Sequence, residues 1–323
     1  MKTHFLFSAA MAALTLLSCE REIIDTESKP VEVNVSILGT ASTRATSVSY
    51  SNESKVGNLQ VFVFNEGKLE NYLDAGEAMT AQLTATSGLR TIWALVNAPS
   101  LNKVTTENEL KAEVSKLSDN KTDAFVMVGS TSKELKDQLS VPVTVKRLVS
   151  RVSIKKISTD FQLALASEAI SIDGIYLINV AGDNTYAADG TPGTWVNRLK
   201  HEDSGYDALL YDNVSAKVEN KKAYEKEHVF YPYPNLTEKV TYEDTWEPRH
   251  TMLVIEVTFQ GKKGYYPVPL PILERNKTYN IEEVVLRHLP SDKPYKPLET
   301  GDASVQITVN EWEVGLNMGT IRL

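Results

Sequence analysis

Between Pro30 and Gly39, Val31, Val33, Val35 and Ile37 alternate with Glu32, Asn34 and Ser36. A period of two puts the four aliphatic side chains on one face of a β-strand and the polar ones on the other. Gly39 ends the run, and Thr40, Ala41, Ser42, Thr43, Arg44, Ala45 and Thr46 follow. One long cationic side chain stands there among small ones, an arrangement open to a protease that selects arginine. Taken alone, the stretch reads equally well as a first strand and its loop.

The start of the chain narrows the choice. Lys2 supplies a positive n-region, Phe5 to Leu17 an apolar core too short to span a bilayer, and small Ser18 stands before Cys19. Cys19 is the only cysteine, so it has no second thiol for a disulfide, and its position fits lipid attachment better than metal chemistry. Residues 1–18 are therefore expected to be a lipoprotein signal peptide. Acyl chains on Cys19, each gaining about 0.8 kcal/mol per buried methylene, would hold the protein on a membrane.

The chain of 323 residues is long enough for two domains with a sizeable core each. Its 42 acidic residues against 34 basic ones leave a net charge of -8, which argues against nucleic acid as a partner. No later apolar run approaches the length of a membrane span.

Strands dominate the chain beyond the linker. In LQVFVFN, Leu59, Val61 and Val63 share one face and Phe62 and Phe64 the other, as in a strand covered on both sides. Leu89 to Asn97 repeats that character, with weaker strands at Leu69–Leu73 and Ala78–Thr84 and another at AFVMVGST. One helix is signalled by a capping box of Thr106 and Glu109, with Leu110, Val114 and Leu117 on one face. In residues 139–157, Val141, Val143 and Val145 have one parity and Leu148, Val152 and Ile154 the other, so the buried face flips near Lys146 and Arg147. Either the strand leaves one sandwich for a second there, or it carries a bulge. The second half is again strand-rich, with SIDGIYLINV, HTMLVIEVTFQ, GYYPVPLPI and NIEEVVLR set between turns. Trp195, Tyr206, Tyr231, Tyr233 and Trp246 either cover a sandwich face or line a glycan-binding surface. The fold class expected is all-β, two tandem β-sandwich domains with one short helix.

No catalytic constellation emerges. The histidines are dispersed, and HExxH, GxSxG, phosphate-loop and GxGxxG patterns are absent from the sequence. A loop with Asp183 and Asp189 does not follow EF-hand spacing, so neither metal nor cofactor is expected.

The lipobox at Cys19, the strand VEVNVSIL, an arginine in a Thr/Ser/Ala linker, LQVFVFN and WALVN resemble the fimbrillins of Bacteroidales, the type V pilins. KRLVSRVSI, NKTYNI and the terminal VQITVNEWEV resemble the later parts of the same proteins. The resemblance implies transthyretin-like sandwiches and a precursor carried to the outer membrane as a lipoprotein. It further implies that an arginine-specific protease removes the first strand and that a strand from a neighbouring subunit takes its place. Carried onto this chain, cleavage falls between Arg44 and Ala45 and removes Val31, Val33, Val35 and Ile37 with the lipid. The partners implied are other copies of the chain, accessory pilins, the protease and, before cleavage, the membrane.

The resulting division is a signal at 1–18, a propeptide at 19–44, a sandwich at 45–146 and a second at 147–323 with a donor tail. Near the C-terminus Trp312, Val314, Leu316 and Met318 repeat the four-residue alternation of the first strand. They are the expected donor strand, unless the segment is simply the last strand of its own domain. The expected function is a structural pilin of a surface fimbria that supports adhesion; the alternative is a monomeric surface lipoprotein that binds glycans.

Overall fold

The computed structural model describes residues 29–39, 53, 55–137, 139–162, 169–187, 192–202, 205–296, 307–312 and 320–322. Cys19, Arg44, Ala45, Asp189, Val314, Leu316 and Met318 lie outside the described residues.

The alternation at the start of the chain forms β1 (Pro30–Gly39). It is followed by β2 (Leu59–Asn65), β3 (Lys68–Asp74), β4 (Thr80–Thr86) and β5 (Gly88–Val96). Helix α1 (Glu107–Ala112) carries the foreseen capping box: the Glu109 amide donates to Thr106 Oγ1 at 3.2 Å and the Thr106 amide to Glu109 Oε2 at 3.1 Å. The helix is shorter than its apolar spacing predicts. Glu113 turns extended, and exposed Val114 opens the strand β6 (Val114–Lys116) instead of adding a turn of helix. Leu117 is buried in the 3-10 turn after it. Then come β7 (Met127–Leu135) and β8 (Leu139–Arg147).

Seven of these strands form one sheet in the order β3-β2-β5-β7-β8-β1-β4. The sheet curls until its two ends meet. Asn71 Nδ2 on β3 donates to the Thr84 carbonyl on β4 at 2.7 Å, and the Glu70 carboxylate takes bonds from Thr86 Oγ1 at 2.7 Å and Arg90 Nε at 2.5 Å. Inside the curl lie the β1 aliphatics, Leu59, Val61 and Val63 of β2, and Val141, Val143 and Val145 of β8. Phe62 and Phe64 face the other way, into a second core, so β2 is covered on both sides as its sequence implies. Strands β7 and β8 pair only at Met127 and Val128. Gly129 comes next because a Cβ there would collide with the Thr144 backbone.

The flip of parity falls between β8 and β9 (Arg151–Ile154). Leu148, Val149, Val152 and Ile154 join the second core, and β9 enters a different sheet. The next strands are β10 (Ile157–Thr159), β11 (Ala169–Ile178), β12 (Val180–Ala181), β13 (Asp183–Thr185) and β14 (Trp195–Val196). A second helix, α2 (Asp207–Leu210), is one turn that the sequence pattern did not signal. Beyond it lie β15 (Tyr211–Glu219), β16 (Ala223–Tyr224), β17 (His228–Phe230), β18 (Met252–Phe259) and β19 (Lys262–Pro269). The last are β20 (Lys277–Ile281), β21 (Glu283–Leu286), β22 (Thr308–Glu311) and β23 (Thr320–Arg322).

Three four-stranded sheets result, ordered β15-β11-β18-β19, β17-β9-β20-β22 and β16-β10-β21-β23. Small ribbons pair β12 with β14 and β13 with β6. The second core runs without a break from Phe62 and Trp93 in the first half to Ile172 and Val257 in the second. Buried Tyr233 ties the halves as well, its hydroxyl 2.8 Å from Ser115 Oγ and 2.8 Å from Asn120 Nδ2. The architecture is all-β with two short helices, layered as sandwiches.

Candidate functional site

β1 lies inside a sheet, with a partner on each edge. It runs antiparallel to β4, with Val31 opposite Ala85, Val33 opposite Leu83 and Val35 opposite Ala81. On the other edge it runs parallel to β8, with Val33 opposite Leu139, Val35 opposite Val141 and Ile37 opposite Val143. Val33 and Val35 are fully buried, and Val31 and Ile37 nearly so. Glu32, Asn34 and Leu38 face outward. Every one of the four aliphatics read from the sequence thus points into the core. Burying them is worth roughly 6 to 12 kcal/mol, at about 1.5 to 3 kcal/mol for each side chain. Without β1 the sheet would lose its continuity, because β8 and β4 are joined to each other only through it. Two unpaired edges and an apolar groove would then face water.

The Gly39 end of β1 pairs with Val145, two residues before the end of β8. Glu53 lies in the same neighbourhood, its carbonyl accepting from Arg147 Nε at 3.0 Å. Glu53 is the centre of a junction that the sequence reading missed. Its Oε1 accepts from the Tyr231 hydroxyl at 2.7 Å and from Arg151 Nε at 3.4 Å. Its Oε2 accepts from Trp312 Nε1 at 3.0 Å. The Trp312 ring stacks on Tyr231 with centroids 5.9 Å apart, meets Phe125 edge-on at 5.8 Å and lies 4.5 Å from the Arg147 guanidinium carbon. Burial pulls the Arg147 pKa below its ordinary value, opposed by the nearby charge of Glu53. The signal in the sequence was a pair of arginines straddling the parity flip. Nothing local to them names a partner at the far end of the chain.

That geometry bears on the expected donor strand. Trp312, placed at the head of the donor strand, is only 9% exposed and is seated in its own chain. Its ring fills the pocket of Phe125 and Tyr231, and its amide donates to the Asn276 carbonyl at 3.0 Å. Strand β22 before it pairs with β20 alone, and β23 lies parallel to β21.

The aromatic residues of the second half do not form one surface, although Trp195 and Trp246 meet edge-on with ring centroids 5.7 Å apart. Tyr231 and Tyr233 are buried, whereas Trp195, Tyr206 and Trp246 are half-buried. The Asp183 carboxylate is taken up by the Gly193 amide and Thr194 Oγ1, each at 2.7 Å. No cluster of three metal-ligating side chains occurs among the described residues. No helix among them is long and apolar enough to cross a membrane.

The family described as the major fimbrial subunit protein (FimA) matches residues 30–144, the stretch from β1 to β8. That is a family of structural fimbrial subunits, not of enzymes. No curated protein sequence matches the chain. Among solved structures, a candidate cell adhesion protein from Bacteroides eggerthii has a TM-score of 0.66 at 16% identity, covering 89% of this chain and 97% of that one. A fimbrilin (FimA) from Porphyromonas gingivalis W83 has a TM-score of 0.59 at 15% identity, covering 89% and 99%. The tip fimbrial protein Mfa3 of Porphyromonas gingivalis, with its C-terminus truncated, has a TM-score of 0.51 at 13% identity, covering 88% and 100%. Over residues 30–144 the chain resembles the FimA family, and over most of its length its fold is similar to those of the Bacteroides eggerthii and Porphyromonas gingivalis structures.

Proposed function

We propose that this protein is a structural pilin of a cell-surface fimbria, and that β1 is a temporary strand exchanged during assembly. The observation that carries the reading is the position of β1: central, doubly paired and buried on one face, yet connected to the rest by a linker containing Arg44. In this reading the precursor reaches the outer membrane by lipid on Cys19. A protease cutting between Arg44 and Ala45 separates residues 19–44, and a strand from another subunit fills the groove between β4 and β8. Insertion restores both sets of main-chain hydrogen bonds and the aliphatic contacts, which is β-augmentation of an open sheet. The donor is the tail beyond Trp312, with Val314, Leu316 and Met318 as its apolar side chains. A boundary at 146/147 separates the sandwich that accepts a strand from the one that provides it. Adhesion follows from the fibre, with accessory pilins as further partners.

The test is Arg44→Ala. The variant should accumulate as a folded, lipid-bearing monomer that forms no fibres after treatment with an arginine-specific protease, as seen by electron microscopy. Normal fibres from it would reject the proposed cleavage site.

A further inference from the structure

The proposed fibre transmits every pull between subunits through the tail after Trp312, so the root of that tail must resist being drawn out. Strand β22, which leads to it, is poorly built for the task. It has four residues and, among the described residues, lies at the edge of its sheet and pairs with β20 alone. A pull applied at its C-terminal end would open an antiparallel pair from that end, one hydrogen bond after another. Trp312 stands at the place where opening would begin.

We infer that Trp312 is the anchor of the C-terminal tail, and that Glu53 is the residue that locks it. The inference rests on the proposed strand exchange for its role in the fibre and on geometry for the anchor itself. Glu53 accepts from Trp312 Nε1 and Tyr231 Oη while Arg151 Nε approaches the same carboxylate, and its carbonyl accepts from Arg147 Nε. The indole is enclosed by Phe125, Tyr231 and Arg147. Below it, Asn276 takes the Trp312 amide on its carbonyl and the Arg147 amide on its side-chain oxygen. Force entering at Trp312 is thereby spread over β8, β9, the segment after β17 and the start of β20, rather than falling on one short edge pair. Glu53 lies nine positions beyond Arg44. The proposed cut therefore leaves this lock in the mature subunit while removing β1.

Single-molecule pulling on the monomer tests the anchor without any need for assembly. The full chain with Cys19→Ser would carry one handle at Lys133→Cys, on an exposed position of β7, and the other at its C-terminus. Force first strips β23 from β21 and then reaches Trp312. In the parent chain no further lengthening should precede global unfolding. In Glu53→Gln and Trp312→Phe, which keep the packing and weaken or remove the bond, the tail segment should open at least about tenfold more often at a given force, the factor carried by one charge-assisted hydrogen bond. Their thermal midpoints, measured without force, should fall by no more than a few degrees, the shift expected for the loss of one such bond. Equal opening rates in all three chains would overturn the anchor. So would a collapse of the thermal midpoint far beyond a few degrees, because faster opening would then report global unfolding and not release of the tail. Fibre formation by the cleaved parent chain is scored separately, and its failure would count against strand exchange and leave the pulling result standing.

Discussion

β1 has a partner along each edge; β22 has one. The first strand contributes ten residues to an interior position of a seven-stranded sheet and buries four aliphatic side chains, whereas the second contributes four residues to an edge. What secures the end of the chain is a side chain just past its strand, Trp312, held by a carboxylate 259 positions earlier. Two physical solutions therefore operate in one molecule. Along β1 the hold is distributed over many bonds, and no single one decides it. At Trp312 it is concentrated at a point. A distributed strand can be replaced residue by residue by another of the same pattern, because each bond lost is matched by one gained. A concentrated anchor cannot be exchanged in that way, and it suits a segment that must remain with its own subunit.

The comparison breaks most severely if a charge is placed in the groove. Val35→Asp would set an unpaired carboxylate at a fully buried position between Ala81 and Val141. The precursor should lose more than about 4 kcal/mol, enough to unfold most of a marginally stable population. Asn34→Asp on the outward face of the same strand should change stability by no more than about 0.5 kcal/mol. Denaturant titration of the two precursors decides the matter. Similar midpoints for both would mean that β1 is not held by its buried face.

Removal of residues 313–323 sharpens the comparison from the other end. The deletion spares Trp312 and its junction and, among the described residues, takes away the three paired with β21. The precursor should lose about 1 kcal/mol or less, a shift of a few degrees in thermal midpoint. Fibre formation after arginine-specific proteolysis should nevertheless be abolished. A collapse of monomer stability would instead make the tail an integral strand of its own sheet, and it could not then be a donor.

Much of this was legible in the sequence because it is periodic. The parity of Val31 to Ile37, the two-sided run Leu59 to Phe64, the capping box of Thr106 and Glu109, and the flip after Val145 all come from neighbours along the chain. Contacts that depend on distant partners were not. Nothing in VEVNVSIL states that β1 runs parallel to β8 and antiparallel to β4. Trp312 continues the alternation of a donor strand, but the seat of its ring is set by Phe125, Tyr231 and Glu53, which only the folded chain brings together. The short reach of α1 has a similar origin. Val114 fits a helical face, but pairing of β6 with β13 gives its backbone tertiary partners.

A last comparison tests whether the hold on β1 depends on the seam where the curled sheet closes. β4, its antiparallel partner, is tied to β3 and β5 by Glu70, which receives bonds from the Thr86 amide, Thr86 Oγ1 and Arg90 Nε. Burial would raise the Glu70 pKa, but the Thr86 and Arg90 interactions outweigh it and leave the pKa below the ordinary 4.5. A carboxylate with a depressed pKa in the folded state contributes stability above its unfolded value, and that contribution disappears as pH falls through the folded value. Glu70→Gln should therefore cost about 1 to 2 kcal/mol at neutral pH, within the range for a hydrogen bond to a charged group. The difference between the two precursors should shrink as pH falls below 4.5 and vanish once Glu70 is protonated in both states. Thermal midpoints of parent and variant across that acid range give the comparison, with other carboxylates common to both chains. If the seam supports β1, protease-nicked Glu70→Gln should also release the peptide of residues 19–44 faster than the nicked parent at neutral pH, and at an equal rate in acid. Release that is equally slow in both at neutral pH would show that β8 alone sets the hold on β1, and that β4 follows it as a passive edge.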